Sequence, residues 1–335
     1  MQDTQYKGVN TLLRVYETKL LLRDDYEKLL RTEDLREALE VLKSTEYLFD
    51  EHDVLENKNF DAFLMQRVKN IYDELYDVTP DPEVIQIFSL RYSYHNLKVL
   101  LKQRFTGLEL DHLLIPIGKH PISALRQLVN ARQSDELNPV MVEGVRLAIE
   151  DYETYGRLEA ADVFMDTYFY KHMREITDRL NNDTISQMAD VLIDLDNLST
   201  VVRSLHQNKS RSFLHTVLSS SGSISKKAII DASEQGAVHV LNELYLGKPY
   251  AARLEAVVND QKDDLDPMVL DKVIDETIDE LMEEATFQAF GPMPVIAFLF
   301  FVEKEVANLR LILVGKDNQI DEGIIRERMR PIYGP

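Results

Sequence analysis

The chain has no cysteine and no tryptophan, and only 12 glycines and 11 prolines among 335 residues. Without thiols there are no disulfides, no thiolate nucleophile and no zinc site built on sulfur, which is compatible with a reducing cytosol. So few breakers, beside abundant Leu, Glu, Lys and Arg, favour long helices over a sheet-rich fold. Positive charge is scarce too. The 38 basic residues are outnumbered by 58 acidic ones, for a net charge of −20. Such a surface repels nucleic-acid phosphates and anionic headgroups, so neither nucleic acid nor direct lipid anchoring is expected. A partner held by electrostatics should instead present basic patches. Long apolar runs are also missing. The most lipid-like stretch, 292–302, is ended at once by Glu303, Lys304 and Glu305. It falls short of the roughly 20 apolar residues of a spanning helix and reads as the start of a buried one. Residues 1–7 show no apolar signal core, so a soluble protein is expected. What is present is enough apolar material for a sizeable core: 44% hydrophobic residues, with 13 Phe and 15 Tyr.

Three stretches share one pattern. The Asn-Leu dipeptides of the chain are Asn96-Leu97, Asn197-Leu198 and Asn308-Leu309. Six residues before each Asn stand Leu90, Val191 and Val302, and two before it Tyr94, Leu195 and Val306. Four and five after it come Leu100 and Leu101, Val201 and Val202, Ile312 and Leu313. These offsets trace one apolar stripe at helical spacing. A second helix precedes each stripe: Leu64, Val68, Ile71, Tyr72 and Leu75 in the first, Met165, Phe169, Met173 and Ile176 in the second, Ile274, Ile278, Leu281 and Met282 in the third. Asp61, Asp162 and Asp271 open these second helices at nearly the same distance from their Asn. The pattern predicts an all-α protein of three homologous helical units, 1–106, 107–210 and 211–335. Asn is a mediocre helix former, so its recurrence inside the stripe points to a shared structural task for Asn96, Asn197 and Asn308, such as hydrogen-bonding an adjacent helix end.

Punctuation supports the division. Thr79-Pro80-Asp81-Pro82 reads as a turn inside the first unit, and 105–121 as a loop-like passage into the second. Residues 208–225, with the run Ser219-Ser220-Ser221-Gly222-Ser223, enter the third as a candidate mobile connector. Thr32-Glu33-Asp34 starts a helix over 35–42, and Asp266-Pro267 opens one through Glu284.

A search for chemistry finds little. There is no phosphate-binding loop, since Gly315-Lys316 lacks both the upstream glycine and the following hydroxyl residue. No dinucleotide fingerprint, His-Glu-x-x-His pair or nucleophile elbow occurs. Asp275, Glu276, Asp279, Glu280, Glu283 and Glu284 cluster at helical spacing, but di-metal bundles add a Glu-x-x-His pair that this cluster lacks. It reads as a solvated acidic face. His95, His120 and His172 are isolated and read as packed or surface residues, and the sequons at Asn182, Asn197 and Asn208 mean little without a signal peptide. No catalytic residue, cofactor-binding residue or metal ligand is therefore assigned. Composition and periodicity leave open a protein-binding helical scaffold and an all-α metal enzyme built on the acidic cluster.

The C-terminus is more specific. Glu303-Lys304-Glu305-Val306-Ala307-Asn308-Leu309-Arg310-Leu311-Ile312-Leu313-Val314-Gly315-Lys316 is followed by Ile324-Ile325-Arg326-Glu327-Arg328-Met329-Arg330-Pro331-Ile332-Tyr333. This resembles the end of the central-stalk subunit of V-type and A-type rotary ATPases, called C in prokaryotes and d in eukaryotes. The length, the three helical repeats, the lack of Trp and Cys and an opening helix over 6–22 fit the same family. The resemblance implies three similar helical domains arranged as a funnel with pseudo-threefold symmetry. Such a rotor subunit sits on the cytoplasmic face of the membrane, held through the membrane rotor-ring subunit by distributed contacts. Its socket accepts the shaft subunits, and it transmits torque between ATP hydrolysis and proton or sodium transport while catalysing neither. By the same comparison Arg91, Lys98, Lys102, Arg203 and Arg310, off the apolar stripe of the repeat helices, are candidate shaft contacts. Their basic heads either meet acidic shaft residues or form surface ion pairs with neighbouring carboxylates.

Overall fold

The computed structural model describes residues 3–260 and 265–332; Met1, Gln2 and Tyr333, which belong to the terminal segments discussed above, lie outside them. Among the described residues there are 17 α-helices and no β-strand. Local chemistry sets their ends. Asp34 accepts the Glu37 N–H at 3.0 Å and starts Leu35–Leu42, and Asp266 accepts the Met268 N–H at 2.8 Å at the head of Pro267–Thr286. The helix Pro139–Tyr155 begins with an Asn138 cap and Pro139 and stops at Gly156, whose φ of 67° is left-handed. The expected helix over 6–22 is shorter: a 3-10 turn Asp3–Tyr6 leads into Lys7–Glu17, and a new helix starts at Arg23.

The three apolar stripes lie on the helices Pro82–Thr106, Asp183–His206 and Met293–Asp317. Eleven of their twelve stripe positions are buried, and Val191 is partly so. The second stripes lie on Phe60–Val78, Ala160–Leu180 and Pro267–Thr286. The apolar run after Pro292 is a buried helix start, with every residue from 293 to 299 buried. Burying whole stripes at crystal-like density makes these helices stiff.

By its contacts the chain divides into two compact units, Ser89–Leu281 and the joined segments Gln2–Phe88 and Met282–Pro335. The boundary falls within two continuous helices, Pro82–Thr106 and Pro267–Thr286. In the second unit, the start and the end of the chain share one core. Lys316 there is buried and donates to the carbonyls of Leu30 (2.6 Å) and Thr32 (2.5 Å), capping the helix Arg23–Arg31.

Each repeat Asn does the same thing. Asn96 Nδ2 donates to the Ile115 carbonyl (2.7 Å) while its Oδ1 accepts the Ile115 N–H (2.8 Å). Asn197 does so with Ser219 (3.0 and 2.8 Å) and Asn308 with Arg330 (3.0 and 2.8 Å). The clamped residue lies two past the end of a short helix every time: Asp111–Leu113, Arg211–Val217 and Glu322–Arg328. A primary amide is the neutral side chain whose donor and acceptor match one residue's N–H and C=O together. The 208–225 passage is thus no slack connector, because it holds the helix Arg211–Val217 and the clamped Ser219.

Removing the Asn197 amide strands the Ser219 N–H and C=O in a buried setting, whereas the Asn96 and Asn308 clamps are partly open to water. Asn197→Ala is expected to cost about 2–5 kcal/mol, and Asn96→Ala less, in urea unfolding of each variant. Equal losses, or no loss at Asn197, would show that the clamp does not hold this passage.

Candidate functional site

Lys98, Lys102, Arg203 and Arg310 meet carboxylates. Lys98 donates to Asp166 at 2.5 Å and Lys102 to Asp162 at 2.8 Å, while Arg203 pairs with Asp271 and Arg310 with Asp61. The carboxylates are largely those that open the second helices: Asp162, Asp271 and Asp61. The pairing runs in a cyclic order. The Asn96 helix reaches the second helix of the middle repeat, the Asn197 helix that of the third, and the Asn308 helix that of the first. All four basic side chains keep a quarter or more of their surface exposed, so these pairs add little stability individually. Arg91, the fifth candidate, lines a cavity with Lys98.

That cavity, of about 440 Å³, opens among the helices Pro82–Thr106, Ala160–Leu180 and Asp183–His206. Asp162, Asp166, Tyr170 and Asp196 contribute its polar groups, with Tyr94 and Phe169 as aromatic wall. Solvent reaches Asp196 through the mouth, yet protein surrounds it, and this desolvation raises its pKa to about 6 against a hydrogen bond from Tyr170. The Tyr170 hydroxyl is pushed well above its ordinary value, by burial first and then by Asp196. Sequence reasoning missed both residues. A signal existed: the position before the repeat Asn reads His95, Asp196 and Ala307, a carboxylate in one copy alone.

Two other acids are buried three residues before a repeat Asn. Asp194 accepts Ser223 Oγ (2.5 Å) and the Ile224 N–H (3.1 Å), and its carbonyl accepts the Tyr245 hydroxyl (3.0 Å). A Cβ on Gly222 would come within 2.3 Å of the Asp194 carboxylate, so only glycine fits there. Glu305 accepts the Leu21 N–H (2.5 Å) and the Tyr47 hydroxyl (2.7 Å), with Arg67 at 4.0 Å; burial raises its pKa despite these partners. The acidic face of Pro267–Thr286 is only partly solvated: Glu276 and Glu280 bind Arg253, and Asp279 is buried. Among the described residues no three acidic or histidine side chains are placed to hold a metal ion.

His172 is fully buried against Tyr94, whose hydroxyl lies 3.3 Å from Nδ1, and burial lowers its pKa to about 3. Neutral in the fold, it gains a proton in the unfolded chain below the ordinary histidine value of 6.5. Stability is therefore unaffected above pH 6.5 and falls as pH drops from 6.5 toward 3, by roughly 1.4 kcal/mol per pH unit for this group. His172→Gln should flatten the loss between pH 6 and 4 in denaturant titrations by about that slope; an unchanged profile would place the acid sensitivity elsewhere.

Comparison with known proteins converges on one family. The family described as ATP synthase (C/AC39) subunit matches residues 9–328. The chain is 32% identical over 332 residues to the C subunit of the V-type sodium ATPase of Enterococcus hirae, covering 98% of this chain and 99% of that one. Two C subunits of A-type ATP synthases are more distant. That of Methanocaldococcus jannaschii is 22% identical (96% and 85% covered), and that of Pyrococcus abyssi 21% (99% and 90%). A match over nearly the whole chain, on an all-helical fold, makes this protein a member of the ATP synthase (C/AC39) subunit family, to which the C subunits of V-type and A-type rotary ATPases belong.

Proposed function

We propose that the chain is the non-catalytic central-stalk subunit of its ATPase, seating the shaft subunits and linking them to the membrane rotor ring. Torque then passes through it between ATP hydrolysis and ion transport. The observation that carries this is the threefold use of one device: a stripe helix, an Asn clamp and a cation reaching the next repeat's second helix. A torque coupler must resist shear between its parts. Clamps that tie each stripe helix to the segment after it supply that resistance. Three homologous units forming a funnel around an axis fit a shaft above and a ring below. No described helix is long and apolar enough to cross a membrane, in keeping with peripheral attachment through the ring. The sodium-ATPase relative makes sodium a natural cargo to test beside protons.

Tagged protein pulled from detergent-solubilised membranes of its source should bring down nucleotide-binding subunits, shaft subunits and a small ring-forming protein, identified by mass spectrometry. Recovery of none of them under conditions that preserve the complex would favour an unrelated scaffold role. The basic candidates need a sharper test, because reversing one also breaks its ion pair. Arg203→Asp combined with Asp271→Arg keeps the pair but exchanges its charges. Shaft affinity is expected to fall roughly tenfold in both the single and the exchanged variant if Arg203 meets acidic shaft residues. Recovery in the exchanged variant would assign Arg203 to the protein's own ion pair alone.

A further inference from the structure

Glu305 fastens two irregular stretches of the opening segment to the last long helix, Met293–Asp317. Its Oε2 accepts the Leu21 N–H at 2.5 Å, between the helices Lys7–Glu17 and Arg23–Arg31. Its Oε1 accepts the Tyr47 hydroxyl at 2.7 Å, in the passage after Leu35–Leu42. On the next turn Asn308 holds Arg330, so the two side chains tie opposite ends of the chain to one helix. All of these residues belong to the unit that joins Gln2–Phe88 to Met282–Pro335. An amide keeps its bonds at any pH, whereas a carboxyl changes its charge.

The surroundings favour the neutral form. Glu305 is 5% exposed, and both of its direct partners are uncharged, so an ionised group would be left without water or a bonded cation. Arg67, on Phe60–Val78, stops with Nε 4.0 Å from Oε1, beyond hydrogen-bonding reach. That buried Nε meets no acceptor among the described residues; the guanidinium instead donates to the Lys19 carbonyl (3.3 Å) and lies 5.1 Å from the centre of the Tyr47 ring. Asp25 and Tyr26 face the site from Arg23–Arg31 and bring no positive charge. On the Glu305 helix itself, Glu303 accepts the Tyr72 hydroxyl (2.6 Å) and Lys304 lies over the Phe300 ring (4.8 Å). Lys7–Glu17, Leu35–Leu42 and Glu322–Arg328, packed on the same helix, bury no charged side chain. Burial accordingly pushes the Glu305 carboxyl above its ordinary value of 4.5, although Tyr47, Leu21 and Arg67 pull it down. The stability this group contributes is full below pH 4.5 and is lost as pH rises toward the folded value.

We propose that Glu305 is a proton-dependent latch on the opening segment: with its proton it holds the Leu21 and Tyr47 passages against the last long helix, and on losing it to water it releases them while Ser89–Leu281 stays folded. In the neutral group Oε2 still accepts the Leu21 N–H as a carbonyl, and Oε1–H donates to the Tyr47 oxygen. Ionisation removes that proton and leaves a charge that only opening brings to water.

Hydrogen exchange of the full chain, followed by mass spectrometry from pH 5 to 9 and corrected for intrinsic rates, reads the latch through the Leu21 amide. Protection over residues 18–22 is expected to fall as pH rises, by up to roughly tenfold per pH unit for one proton. Glu305→Gln puts an amide oxygen and nitrogen in the same two places, and its protection should not follow pH. Arg67→Gln removes the nearest cation and should carry the loss to higher pH. Amides of Ser89–Leu281 should behave alike in all three proteins. Circular dichroism at pH 5 checks that the variants are folded, and Arg67→Gln alone decides if Glu305→Gln is not. Wild-type protection that is level or rises with pH overturns the proposal, as does an equal loss in Glu305→Gln or no shift in Arg67→Gln.

Discussion

The structure depends on a match between one side-chain amide and one residue of backbone. Each stripe helix carries its Asn deep in the apolar face, where an unmet amide would be costly. Each meets its need by closing a two-bond ring with the residue that ends the following short segment. That one interaction explains why a mediocre helix former recurs in the middle of three helices, and why irregular segments can lie against the core with their backbone groups satisfied. Around it the repeats diverge. Three residues earlier the buried polar position is Ser93, Asp194 or Glu305, and the two acids recruit different neighbours.

The charged groups divide into two kinds by their surroundings. Pairs at the seams, such as Lys98 with Asp166 and Arg310 with Asp61, stay partly solvated; they fix which helix lies beside which more than they hold the protein together. Asp194 and Glu305 are sealed off and depend on hydroxyl and backbone donors. Asp196 belongs to neither kind, being exposed at the edge of the cavity that Tyr170 also lines.

Most of the helical architecture was legible in the sequence, because apolar periodicity and capping residues act over a few positions. Leu35–Leu42 begins where Asp34 said it should, and the stripe helices carry their Asn at the expected place. What was not legible is what distant residues do to one another. Glu305 reads in sequence as a charge that ends an apolar run, yet it is buried by partners 284 and 258 residues away, Leu21 and Tyr47. Ser219 to Ser223 look like a slack linker because small polar residues so often are; here their hydroxyls and amides serve Asn197 and Asp194. The acidic helix face was read from composition, and the burial of Asp279 depends on packing that composition does not encode.

The sharing of one core by Gln2–Phe88 and Met282–Pro335 has a consequence for synthesis. The opening segment leaves the ribosome without the Met293–Asp317 helix that packs against its helices Lys7–Glu17, Leu35–Leu42 and Phe60–Val78 in the finished fold. At roughly 5–20 residues per second, the intervening stretch takes on the order of 10–40 s to emerge. For that interval the nascent chain holds an unfinished apolar surface, while Ser89–Leu281 has all its own parts and is free to condense first. A folding helper acting on this protein would find its target in the segment Gln2–Phe88 and would release it only once the Met293–Asp317 helix has emerged.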